Sequence, residues 1–328
     1  MATKLLIDAI RDTLFEEMRG DDRIIVLGED VGKRGGVFRV TAGLIDEFGE
    51  ERVIDTPLAE SSIVGVAIGA ALHGLLPVAE IQFFDFIHPA MDQIMNEAAK
   101  IRYRSGGDFD CPIVIRTPYG GGVHGALYHS QSLESAFTRE PGLKVVAPVN
   151  PADAAGLLRS AIYDPDPVLF LEHKKAYRLI RDEVPENGHT VPIGKAKVVK
   201  EGSDVTIISY GMMLHESLAA AKALEEKDGS SVEVIDLRTL RPLDEETILE
   251  SVAKTGKVLI VHEANKVGGV GAEVAALIAE EAFPYLDGPI MRVAGPEVPA
   301  MPFSPPLEQA YLPTAEKIGA ALEQLAAF

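Results

Sequence analysis

Glu29, Glu60, Gln82 and His129 could carry acid–base or hydrogen-bonding chemistry, and each follows the C-terminal end of a predicted strand or the turn after it. Strand ends that converge in this way build the site of an α/β sheet. Glu60 closes the polar turn that begins at Val53, and the segment behind it, from Ser61 to Gly74, is apolar on every face. Pro57 fixes the approach, Ser61 or Ser62 is placed to cap a helix, and Gly74 suits its end. A helix apolar all round is a buried one. Gly65, Ala67, Gly69 and Ala71 would let another backbone come close to it. A carboxyl at the mouth of such a dry contact tends to hold its proton unless something pairs with it. Taken alone, the segment reads more commonly as a solvated turn glutamate ahead of a core helix.

His129 lies in a loop that starts with Gly120, Gly121 and Gly122. Lone loop histidines are mostly surface residues, but consecutive glycines let a backbone approach a ligand closely. A histidine there titrates near neutral pH and can shuttle protons. His124 is five residues away, off the helical spacing that would aim both rings at one metal. Gly268-Gly269-Val270-Gly271 lacks the third glycine of a dinucleotide loop, since Val274 stands there, and reads as a close helix–strand turn. No phosphate-loop or nucleophile-elbow motif is present.

The elements that must position these residues alternate strand and helix. Arg23–Gly28, Leu76–Ile81, Pro112–Arg116, Leu143–Ala147 and Pro167–Leu171 read as buried strands. Leu5–Met18, the segment after Ser61, a helix opened by Pro89 with a stripe of Met91, Ile94, Met95, Ala98 and Ile101, and Pro151–Ile162 read as helices. From His173 to Gly202 the pattern turns irregular and charged. A second alternation follows, with strands at Val205, Val232, Val258 and Ile290 and a last helix opened by Thr314. The expected fold is α/β in two domains, 1–175 with a parallel sheet and 203–328, joined by a linker over 176–202.

The chain has 328 residues, of which 47% are hydrophobic, so disorder is excluded as its main state. No apolar run reaches membrane-spanning length, and Met1–Leu5 shows no signal-peptide pattern. The lone Cys111 excludes an internal disulfide or a cysteine zinc site and fits a reducing cytoplasm. A net charge of −19 argues against nucleic acid and is compatible with docking onto a basic protein module.

Long motifs in order carry a resemblance. Asp55-Thr56-Pro57-Leu58-Ala59-Glu60, Glu80-Ile81-Gln82-Phe83, Asp92–Lys100, His124-Gly125-Ala126-Leu127-Tyr128-His129-Ser130-Gln131-Ser132 and Asp236–Asp244 resemble the β subunit of the E1 component of 2-oxo acid dehydrogenase complexes. The likeness covers essentially the whole chain, and the motif at His124–Ser132 is more like the branched-chain enzymes than the pyruvate ones. It implies a transketolase-like pyrimidine-binding domain, a transketolase C-terminal-like domain and thiamine diphosphate. The residue matching Glu60 would hydrogen-bond the aminopyrimidine ring and exchange a proton with it. Glu29, Leu58, Gln82, Phe86 and Pro89 would line the cofactor. His129, with Phe83 and Phe86, would face the 2-oxo acid. Many relatives have tyrosine at Phe86, where phenylalanine keeps the stacking face and loses the hydroxyl. The Gly-Asp-Gly motif that grips the diphosphate and Mg2+ in thiamine enzymes is absent here. The resemblance therefore implies an α subunit bringing that half of the site in an α2β2 assembly, and a lipoyl-bearing E2 as acyl acceptor. It also implies a monovalent cation, potassium, near Pro112–Arg116 and the turn at Ala161, Asp164 and Asp166. The competing readings are a pyruvate or acetoin enzyme of the same kind, a non-catalytic docking subunit, and a nicotinamide-dependent dehydrogenase.

Overall fold

Short β-branched runs between breakers become the strands of two sheets. The computed structural model describes residues 2–186 and 188–328. The chain divides into one unit of residues up to Tyr119 with Ala136–Ile193, and another of Gly120–Ser135 with Gly194–Phe328.

The first unit contains β1 (Ala2–Leu5), α1 (Leu6–Gly20), β2 (Ile24–Gly28), β3 (Val53–Asp55), α2 (Glu60–Leu72), β4 (Leu76–Glu80), β5 (Val114–Tyr119), β6 (Lys144–Val146), α3 (Pro151–Ile162), β7 (Val168–His173) and β8 (Arg181–Val184). Its parallel strands run in the order β6–β7–β5–β4–β2–β3. Gly28 stands opposite Asp55 and Glu80, so the C-terminal ends of β2, β3 and β4 are level, and β5, whose Arg116 pairs with Glu80, runs three residues past them. The strands are buried along their whole length, apart from the end of β3 and the start of β6, as a sheet covered on both faces requires. β1 pairs antiparallel with β8, inside the segment read from the sequence as linker. Ala9 of α1, Ala155 of α3 and Val184 of β8 pack together beneath that pair. The Cys111 thiol is buried, and burial pushes its pKa up to about 12.

Four local expectations are corrected. The helix expected from Pro89 starts at Phe84 as a 3-10 turn and passes through a π turn at Gln93–Glu97. Ile94, Ala98 and Ile101 are buried as expected, whereas Met91 and Met95 are half-exposed. Helix α2 starts at Glu60 itself, with Ala59 as its cap and Ile63 N–H bonded to the Ala59 carbonyl at 2.9 Å. Ser61 and Ser62 thus lie exposed in the first turn and do not cap it. Nor is α2 buried all round: Ile63, Val64, Ala67 and Ile68 face the core, while Ser62, Val66, Gly69 and His73 form an exposed stripe.

The second unit contains β9 (Lys197–Lys200), β10 (Val205–Ser209), α4 (Met212–Asp228), β11 (Val232–Asp236), α5 (Glu245–Thr255), β12 (Val258–Asn265), α6 (Val270–Glu281), β13 (Met291–Gly295), α7 (Pro305–Tyr311) and α8 (Ala315–Ala326). The sheet order is β13–β12–β10–β11–β9, with only β9 antiparallel. Asp244 caps α5 and Thr314 caps α8, each accepting a backbone N–H three residues on. A Cβ on Gly269 or Gly271 would fall 2.5 or 2.7 Å from the buried His262 ring, so this glycine turn brings α6 close to β12. Among the described residues, no helix is long and apolar enough to cross a membrane.

Candidate active site

At the C-terminal edge of the first sheet, the loop after β2 folds back over the strand ends. Asp30 adopts a left-handed φ of 61°, and its carbonyl accepts the Gly36 N–H at 2.8 Å. Asp55, the last residue of β3, accepts the N–H groups of Gly32 at 2.5 Å and Lys33 at 3.2 Å. A Cβ on Gly32 would sit 2.7 Å from that carboxylate, so only glycine fits there. Gln82, beyond the end of β4, donates its amide N–H to the Glu29 carbonyl at 3.3 Å. Glu29 is half-buried. Burial raises its carboxyl pKa first, then the charges of Asp30 and Glu60, with Arg34 pulling the other way. Glu29 and Glu60 are therefore near enough to repel.

Glu60 is half-buried at the first residue of α2. Leu58, just ahead of it, is 71% exposed, a costly place for a leucine unless something covers it. The Phe83 and Phe86 rings meet edge-on, with centroids 5.4 Å apart. Phe38 packs edge-on against Phe83 at 5.5 Å and lies 5.4 Å from the Tyr177 ring. Lys174 places its ammonium 5.8 Å from the Phe83 centroid. Phe86 keeps part of its ring open, and Pro89 is exposed. This edge thus brings together a pair of carboxylates, an amide and a half-open aromatic ring.

Beneath it lies a buried ion cluster. Arg116 is 0% exposed and donates to Glu80 at 2.8 Å and to both oxygens of Glu172 at 2.6 and 2.8 Å. The Tyr177 hydroxyl donates to Glu172 as well. Burial works against the Arg116 charge, but Glu172 and Glu80 outweigh it and raise its pKa. One guanidinium does not neutralise two carboxylates: burial raises the Glu80 pKa, Arg116 opposes this, and Glu172 adds to it.

His129 belongs to the loop 120–135, which packs as part of the second unit. It is half-buried and follows a 3-10 turn at Ala126–Tyr128. His124 and Ala126 both have a left-handed φ of 58°, and a Cβ on the intervening Gly125 would fall 2.6 Å from the His129 carbonyl. Glu134, at the end of the loop, accepts the Tyr210 hydroxyl at 2.6 Å. Burial pushes the Glu134 pKa up to about 7, against the pull of that bond. The Tyr210 ring stacks on His262 at 6.2 Å, and burial lowers His262 to about 4.

Ala161, Asp164 and Asp166 lie at the opposite end of the first sheet, ahead of β7. Lys144 holds Asp164 through both oxygens at 2.6 and 2.7 Å, and Arg102 holds Asp166 at 2.7 Å. Both carboxylates are thus paired with cationic side chains. Among the described residues, no group of three or more His, Cys, Asp or Glu converges as a metal site. The residues that sequence reasoning missed are Phe38, Asp55 and the carboxylates behind the His129 loop. Asp55 opens the motif that carries Glu60, which was the only available signal.

The pyrimidine-binding domain of transketolases matches residues 4–180, and the transketolase C-terminal domain matches residues 194–318. The 2-oxoisovalerate dehydrogenase subunit beta of Bacillus subtilis (strain 168) is 58% identical over all of both chains. The pyruvate dehydrogenase E1 component subunit beta of the same organism is 53% identical over 95% of each chain. Among solved structures, a split-gene transketolase described as an inactive beta4 tetramer superposes with a TM-score of 0.80 at 26% identity, over 98% of each chain. A transketolase mutant from Pichia stipitis shares the fold with a TM-score of 0.71 at 15% identity, the whole chain matching 46% of that one.

Proposed function

Because the chain belongs to the E1 β subunits of 2-oxo acid dehydrogenase complexes, with the two domains of a transketolase-like thiamine diphosphate enzyme, we propose that it forms, with an α subunit, an enzyme that decarboxylates a branched-chain 2-oxo acid and passes the acyl group to a lipoyl group on E2. The preference for branched substrates rests on the His124–Ser132 motif and on 58% against 53% identity.

Bound thiamine diphosphate supplies a carbon nucleophile and an electron sink for the loss of carbon dioxide. Glu60 would hydrogen-bond the aminopyrimidine ring and exchange a proton with it. Glu29 and Gln82 line that ring with polar groups, and Leu58, Phe86 and Pro89 with apolar surface. The donor set fits this half of the cofactor: a carboxylate on the first residue of a helix, a half-open ring and an exposed leucine stand at one sheet edge. Phe83 and Phe86 bound the substrate's side chain, and His129 faces its carboxylate and moves protons there. The diphosphate and Mg2+ fall mainly to the α subunit, since this chain lacks Gly-Asp-Gly. The exposed stripe of α2 suits a helix partner in an α2β2 assembly, because Gly69 would let a second backbone come close. A potassium ion near Ala161, Asp164 and Asp166 would be held by main-chain carbonyls, the carboxylates being paired. The site of action is the cytoplasm.

The observation that carries this reading is Glu60 at the first residue of α2, beside Glu29 and an open helix face. Co-expression with the α subunit tests it. Glu60→Gln should lower decarboxylation of 3-methyl-2-oxobutanoate by ~1,000-fold or more with assembly preserved. Unchanged turnover would make the chain a docking subunit, and faster turnover of pyruvate would shift the substrate class.

A further inference from the structure

Two buried carboxylates of the second unit are spent on backbone N–H groups of the His129 loop. Glu308 lies on the short helix α7 and is 2% exposed. One of its oxygens accepts the N–H of Gly122 at 2.8 Å and of His124 at 3.2 Å. The other lies 2.6 Å from Nδ1 of the half-exposed His124 ring. Glu263, near the end of β12, is buried too and accepts the Gly121 N–H at 2.6 Å and the Ser132 hydroxyl at 3.2 Å. Between these points the loop closes on itself, the Gly120 N–H bonding the Gln131 carbonyl at 3.2 Å.

Burying a carboxylate is costly, and bonds from N–H groups to a charged acceptor are strong enough to offset the cost. What they hold in place is a backbone under strain. His124 and Ala126 are non-glycine residues in the left-handed region, a geometry that persists only when the surroundings impose it. Gly125 leaves no room for a side chain against the His129 backbone, since a Cβ there would fall 2.6 Å from the His129 carbonyl. A Cβ on Gly121 would lie 2.6 Å from the Met301 methyl carbon, the movable end of a flexible side chain.

We propose that Glu308, supported by Glu263, is a positioning residue: it clamps the N–H groups of the loop and so sets where His129 stands in the reaction. This rests on the assignment of His129 above. The clamp fixes the first half of the loop, and the strained residues His124 and Ala126, with Gly125 packed close between them, pass that constraint on to His129. Loss of the clamp should therefore slow turnover while leaving cofactor binding, which needs the residues of the first unit, in place.

The test uses the chain assembled with its α subunit, reading amide hydrogen exchange over 120–132 alongside steady-state kinetics. Glu308→Ala should speed exchange at Gly122 and His124 by ~10-fold or more. It should lower kcat by ~10- to 100-fold, with the KM for thiamine diphosphate within about 2-fold. Glu308→Gln keeps a carbonyl acceptor for both N–H groups and should recover kcat to within about 5-fold of the parent. His124→Asn tolerates the left-handed backbone and loses only the ring contact; it should speed exchange by ~3-fold, and as a half-exposed position it will assemble even if Glu308→Ala does not. Unchanged exchange in Glu308→Ala, or in His124→Asn where Glu308→Ala does not assemble, overturns the clamp. A loosened loop with full turnover overturns the positioning role. Full turnover in His129→Ala overturns instead the assignment of His129 on which the proposal rests.

Discussion

The buried carboxylates at the sheet edge of the first unit and those around the His129 loop of the second are held in opposite ways. In the first, carboxylates Glu80 and Glu172 share the Arg116 guanidinium, so charge faces opposite charge in the interior. In the second, Glu134, Glu263 and Glu308 are held by the Tyr210 phenol, the Ser132 hydroxyl, backbone N–H groups and the His124 ring. A guanidinium fixes strand ends rigidly, since both partners lose heavily if either goes. Amide and phenol partners hold a loop more gently and leave Glu134 able to take up a proton near neutral pH. The difference matches position: the ion cluster stiffens the base of a sheet edge, and hydrogen-bond donors hold the His129 loop.

Removing the cation would break the comparison most sharply. Arg116→Met should destabilise the first unit by ~3–5 kcal/mol, because two carboxylates stay buried without a counter-charge. Hydrogen exchange of the strand amides of each unit would read this, and the loss should be confined to the first.

The second unit offers a pH test of intermediate size. Above pH 4.5 an unfolded carboxyl loses its proton while folded Glu134 keeps it to about 7, so its contribution declines as pH rises through that window. His262 works the other way: folded it charges only near 4, unfolded near 6.5, so stability is lost as pH falls between these values. The two slopes should nearly cancel in the parent chain. Glu134→Gln should unmask the histidine, giving a second unit whose stability climbs by on the order of 2 kcal/mol between pH 4 and 6.5. A flat profile in that variant would mean that His262 is solvated. The smallest effect belongs to Tyr177→Phe, which removes one of the donors to Glu172 and leaves the guanidinium. It should cost about 1 kcal/mol in urea unfolding and loosen the Phe38–Phe83 packing.

Much of the first sheet edge was legible in the chain itself. Alternating apolar runs and breakers gave the strands, and Glu29, Glu60 and Gln82 followed them at the ends where α/β sites lie. The start of α2 was misread because Ser61 and Ser62 look like caps, whereas Ala59 takes that place once Pro57 and Leu58 have set the turn. Its exposed stripe was hidden for a different reason. Hydropathy records that a face is apolar, not whether this chain or another covers it. The clamp left no pattern at all, since Glu308 and Gly122 stand 186 residues apart and a carboxylate meeting a backbone N–H imposes no side-chain type on its partner. β8 was lost in a charged segment because an edge pair needs little apolar surface.

Cys111 has a practical meaning as well. As the sole sulfhydryl, sealed in the interior and reluctant to ionise, it will ignore maleimides and similar electrophiles in the folded protein. A single new cysteine, on the open side of α2 or at the tip of the His129 loop, can therefore carry a fluorophore or spin label without any background to engineer away.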